Sequence, residues 1–117
     1  MQIQFTLDDA SLTVTLGDGP AARDLVAQLP LTLTMRDFHG IEKVADLPER
    51  LDVAGEPAGT DAHVGDLTYY APWGNVAFFY RDFGYAAGLV SLGTVDGEAA
   101  VLEGIADGAT VTVTLVA

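Results

Sequence analysis

A chain of 117 residues, half of them apolar, is the length of one domain and has enough apolar side chains to build a core, which excludes a disordered chain. It has no cysteine, so disulfides, thiolate metal sites and thiol nucleophiles are excluded. Seventeen acidic residues against five basic ones give a net charge of −12, a field that repels phosphate backbones and anionic lipid; neither nucleic acid nor a membrane is an expected partner.

"QIQFTL" (2–7) alternates, with Ile3, Phe5 and Leu7 on one face, and "SLTVTL" (11–16) repeats the pattern with Leu12, Val14 and Leu16. The short "DDA" between them predicts a hairpin. In "GDGPAARDLVAQLP", Pro20 suits a first helical position, Ala22, Leu25, Val26 and Leu29 form one apolar stripe, and Pro30 stops the helix. "LTLTM" (31–35) returns to period two. From 36 to 64 regular periodicity is lost: "ADLPERL" suggests one helical turn, and "AGEPAGTDAHVG" reads as loop. Two aromatic strands follow near 66–71 and 75–80, joined by "PWG", and 81–88 reads as another loop. "LVSLGTV" (89–95) is a strand, "GEAAVLEGI" a short helix with Val101, Leu102 and Ile105 inward, and "TVTVTLV" a closing strand.

These elements predict a single domain over 1–117 that is mainly β: a closed antiparallel β-barrel of about eight strands with two short capping helices. Closure removes exposed sheet edges, and helices can plug the ends. The opening strand pattern has no basic segment before an apolar run, and no run reaches the ~20 apolar residues that span a bilayer. Cytoplasm is the expected location.

"GDLTYYAPWGNVAFFY" (65–80) holds six of the ten aromatic residues. Followed by "LVSLGTVDG" and "DGATVTVTL", and preceded by "GDGPAARDLVAQLP" and "LPLTLTMRDFHGIEKVADLP", it resembles the small bacterial and archaeal cyclophilin-like proteins over nearly the whole chain. The resemblance implies an eight-stranded barrel capped by helices, of the type seen in peptidyl-prolyl isomerases. Isomerase chemistry twists an amide beside an apolar proline pocket and directs a guanidinium at the prolyl nitrogen. True cyclophilins carry that Arg in Phe-His-Arg and a Gln in Gln-Phe-Phe. Here "AFFY" supplies Phe78 and Phe79, Ala77 stands where the Gln would be, and Phe-His-Arg is absent.

The aromatic strands divide by parity, Leu67, Tyr69, Ala77 and Phe79 against Thr68, Tyr70, Phe78 and Tyr80, with one set expected inside the barrel. Tyr70, Trp73 and Tyr85 are candidates to line a shallow pocket, with Phe79 as wall, Asn75 as hydrogen-bonding group and Arg81 as a carboxylate or carbonyl donor. The plainer reading of the aromatics is core packing, and of Arg81 and Arg36, each followed by Asp, a local ion pair. Asp61, His63 and Asp66 make too sparse a set for a metal, Ser11 and Ser91 have no neighbouring His, and "GDGPAARD" lacks the phosphate-loop Lys. No catalytic residue, metal or cofactor is expected. The leading functional expectation is a module that binds a small apolar or peptide-like ligand. The alternatives are a divergent peptidyl-prolyl isomerase and an accessory protein that self-associates, as a homodimer, through an uncovered sheet face.

Overall fold

The alternating stretches become strands whose apolar faces meet. The computed structural model describes residues 1–8 and 10–116, so Asp9 of the expected 8–10 turn and the terminal Ala117 lie outside it. Its elements are β1 (Gln2–Thr6), β2 (Ser11–Leu16), α1 (Pro20–Ala27), β3 (Leu31–Phe38), β4 (Glu42–Asp46), β5 (Gly59–Ala62), β6 (Asp66–Tyr70), β7 (Asn75–Phe79), β8 (Gly84–Ala87), β9 (Leu89–Val95), α2 (Ala100–Glu103) and β10 (Ala109–Leu115). Eight strands close a barrel in the order β1-β10-β3-β4-β7-β6-β9-β2, while β5 and β8 pair as a separate ribbon. All strand pairs are antiparallel. Among the described residues no helix is long and apolar enough to cross a membrane.

Side chains fill the lumen, as expected for a barrel of this strand number. Ile3, Phe5, Leu67, Tyr69, Val76, Phe78, Leu92, Val111 and Val113 are buried in one cluster. The rings of Phe5 and Phe78 meet edge to face with centroids 4.8 Å apart. At one end, Ala21, Ala22 and Leu25 of α1 join this cluster together with Leu51 from the loop after β4. The Leu51 N–H donates to the Tyr69 hydroxyl at 3.1 Å, and Glu56 accepts from the Ala21 N–H at 3.1 Å, satisfying a free donor in the first turn of α1. At the other end α2 lies against β4.

Five details depart from the sequence expectations. The aromatic strands do not divide by equal parity. Leu67 pairs with Phe78 and Tyr69 with Val76, so odd positions of β6 face the same side as even positions of β7. Tyr69 and Phe78 therefore point into the lumen, and Tyr70 and Phe79 point out.

The region 36–64 contains two strands. β4 escapes a periodicity search because its lumen-facing residues are Lys43 and Ala45, opposite Phe78 and Val76. The helical turn expected in "ADLPERL" does not form, since Ala45 and Asp46 pair with β7 and Pro48 follows. β8 lies within the expected 81–88 loop; at four residues, Gly84–Ala87, it is too short and small to show a pattern. Finally, Val101 is exposed, because a helix of one turn directs only Leu102, with Ile105 beyond it, at the core.

Candidate functional site

The outer face of the barrel carries a second apolar cluster, separate from the lumen: Val44 of β4, Ala77 and Phe79 of β7, Leu89 of β9 and Ala62 of the ribbon. Between this face and the ribbon lies a cavity of about 340 Å³, within the size range of small-molecule sites. Its aromatic walls are Phe38, Tyr70, Trp73, Phe79 and Phe83, and its polar side chains include Glu42 and Asn75.

Local chain geometry places these groups. β3 and β4 are joined through His39 and Gly40, at φ 57° and 66°. Two positive φ values in succession mark a primed turn, closed by the Ile41 N–H donating to the Phe38 carbonyl at 3.2 Å, with Ile41 as one extra residue before pairing resumes at Glu42; His39 is the only non-glycine residue at positive φ among those described. This turn sets Phe38 directly opposite Glu42, while β7 sets Phe79 on the other side of Glu42. Glu42 thus lies in register between two phenylalanines that line the same cavity.

Trp73 is held by the turn between β6 and β7. Its N–H and that of Gly74 both donate to the Tyr70 carbonyl, at 3.2 and 2.9 Å, and Gly74 takes φ 68°, a region that favours glycine. Arg50 donates to the Ala71 carbonyl at 2.6 Å. The indole is 60% exposed, yet it stands nearly perpendicular to both neighbours, with centroids 5.5 Å from Tyr70 and 5.8 Å from Phe38. Phe83, also at the rim, tilts over Phe79 at 5.9 Å.

Glu42 is the acidic group of this site. Burial pushes its carboxyl up to about 7, because apolar walls disfavour the charged form. The cavity therefore presents either a hydrogen-bond donor or a negative charge near neutral pH.

Of the six candidate residues, Tyr70, Trp73, Asn75 and Phe79 line the cavity together. Arg81 and Tyr85 are not among the lining residues. Arg81 donates two bonds to Glu103 of α2, at 2.8 and 3.1 Å, and one to the Tyr80 carbonyl at 3.0 Å. That pair holds the guanidinium above and the Glu103 carboxyl below their ordinary values. Tyr85 is exposed on the ribbon opposite Asp61, close over Gly59. Asp66, at the start of β6, accepts the His63 backbone N–H at 2.8 Å. Glu42, Phe38 and Phe83 lie outside the sequence candidates. The nearest sequence signal was the His39-Gly40 pair, but read as a two-residue turn it would set Phe38 against Ile41, and the one extra residue that brings Glu42 opposite Phe38 leaves no mark in the sequence.

The model of the Cyclophilin-like family matches residues 5–116. The chain belongs to the cyclophilin-like family. A fold of the same kind occurs in the solution structure of a hypothetical protein from Archaeoglobus fulgidus, which superposes with a TM-score of 0.71 at 18% identity, covering 97% of this chain and 93% of that one. No curated protein matches the chain. Within this cyclophilin-like chain, "AFFY" contributes one phenyl ring to the lumen and one to the cavity, and Ala77 lies buried in the outer cluster.

Proposed function

We propose that this protein is a binding module that takes a small, mostly apolar molecule, or the apolar side chain of a peptide, into the cavity outside its barrel. One observation carries the reading: with the lumen filled, a roomy aromatic-walled cavity remains on the outer face, with few polar groups to orient an occupant. An isomerase would need a cation beside the bound amide. None of the four arginines is among the lining residues, and Arg81 is engaged with Glu103. Binding without amide twisting is the reading this arrangement supports.

A neutral dye, N-phenyl-1-naphthylamine, tests it. The expected result is saturable dye fluorescence with energy transfer from Trp73, the only tryptophan. Trp73→Ala, a change at a mostly exposed rim position, should weaken the dye's affinity several-fold while leaving the far-UV spectrum intact. Emission that rises only linearly with dye, or that is indifferent to Trp73→Ala, refutes the reading.

A further inference from the structure

The cavity has a composition that a purely apolar ligand does not explain. An acid sits at its wall, in register between Phe38 and Phe79, although burying it there raises the cost of its charge. Three further rings, Tyr70, Trp73 and Phe83, line the same cavity, with the Trp73 centroid 5.5 Å from that of Tyr70 and 5.8 Å from that of Phe38. Aromatic faces carry negative potential, and several of them around one point attract a cation. Resting on the reading of this cavity as a binding site, we infer that its occupant carries an alkylated ammonium group, seated among the aromatic faces with Glu42 as its counter-charge.

Three considerations select this chemistry over other cations. A primary ammonium brings three N–H donors, whereas the wall provides few acceptors beyond Glu42 and Asn75. A quaternary centre has no donor to leave unpaired. A metal ion would need several hard oxygen ligands, and among the described residues no group of three or more His, Cys, Asp or Glu side chains is placed to hold one. The net charge of −12 draws cations to the surface and repels anions.

The groups around Glu42 keep its titration simple. β3 and β7 present Phe38 and Phe79, β8 and β9 present Ala86, Ala87 and Leu89, and Tyr70 of β6 is the other titratable side chain on the wall. Asp37 and Lys43, the sequence neighbours of Phe38 and Glu42, pair with each other at the barrel end, 3.3 Å apart. A permanent cation entering the cavity displaces the Glu42 proton, so binding should tighten as pH rises through about 7.

The test compares two probes of nearly one shape, phenyltrimethylammonium and its neutral carbon isostere tert-butylbenzene, by calorimetry at pH 6 and pH 8. The expected result is a preference for the cation of about tenfold or more at pH 8, smaller at pH 6, with the neutral probe binding no tighter at pH 8 than at pH 6. Glu42→Gln should remove the pH dependence and most of the preference, leaving the part due to the rings, while still binding tert-butylbenzene, and Glu42→Asp should retain more of it. If Glu42→Gln does not fold, the pH dependence in the native protein carries the decision. Equal affinity for both probes, or a preference that Glu42→Gln leaves undiminished, overturns the charge assignment and leaves the apolar binding site standing. Binding of neither probe overturns both.

Discussion

Replacing Glu42 by Gln should make the protein more stable at pH 8 and leave it nearly unchanged at pH 5. The folded chain holds the Glu42 proton up to about pH 7, whereas an unfolded chain releases it near 4.5. Between those values the native state binds more protons than the unfolded state, so stability falls as pH rises. By pH 8 about nine native molecules in ten carry the charge beside the cavity's phenyl rings. At ~1.4 kcal/mol per pH unit the cost has a ceiling of about 3 kcal/mol, and water at the open side of the cavity screens it to about 1–2 kcal/mol. Gln has nearly the same shape and no charge to bury. Urea unfolding followed by far-UV circular dichroism, on native protein and variant at pH 5 and pH 8, measures the difference directly. Asp37 and Glu103 are held below their ordinary values, so their contributions are complete above pH 5, and the native-minus-variant comparison cancels other groups. A variant whose advantage is the same at both pH values would show that burial does not govern this carboxyl.

Two further substitutions probe the barrel. Lys43 is buried at the end covered by α2, where its ammonium donates to the Ile105 carbonyl at 2.6 Å and lies 3.3 Å from Asp37. Lys43→Ala should cost about 3 kcal/mol in urea unfolding and Lys43→Met less, because Met preserves the packed stem; a loss below about 1 kcal/mol for Ala would mean that water replaces the ammonium freely. Gly93 of β9 has no space for a side chain, since a Cβ there would lie 2.2 Å from the Thr15 carbonyl oxygen and 2.9 Å from the Leu16 Cα. Gly93→Ala should therefore cost about 1–3 kcal/mol by forcing β2 and β9 apart, and an unchanged midpoint would contradict that close approach.

Most of the barrel was legible because its strands bury one face only. β1, β2, β10 and the first five residues of β3 place apolar residues at alternate positions, and their neighbours are Thr, Ser and Gln. The misread parts have physical causes. Lys43 replaces an apolar residue at a lumen position of β4, and the ribbon strands are built from Gly, Ala, Thr, Asp and Tyr, with no repeating apolar face. The division of the aromatics depended on register, which the odd sum of paired residue numbers decides and which a single strand does not reveal. Aromatic density pointed to Tyr70, Trp73 and Phe79, all within ten residues of one another. Glu42 was not legible, since one acid among seventeen acquires significance only when folding sets it between two phenyl rings.

β7 is a partition wall. Phe78 faces the packed interior and Phe79 the outer cavity, so the protein's structural core and that cavity are one strand's thickness apart without sharing side chains. The rim aromatics Trp73 and Phe83 project from the far side of that wall, both more than half exposed. Substitutions at these rim positions therefore reshape the mouth of the cavity, residue by residue, while the packed lumen behind the wall stays as it is.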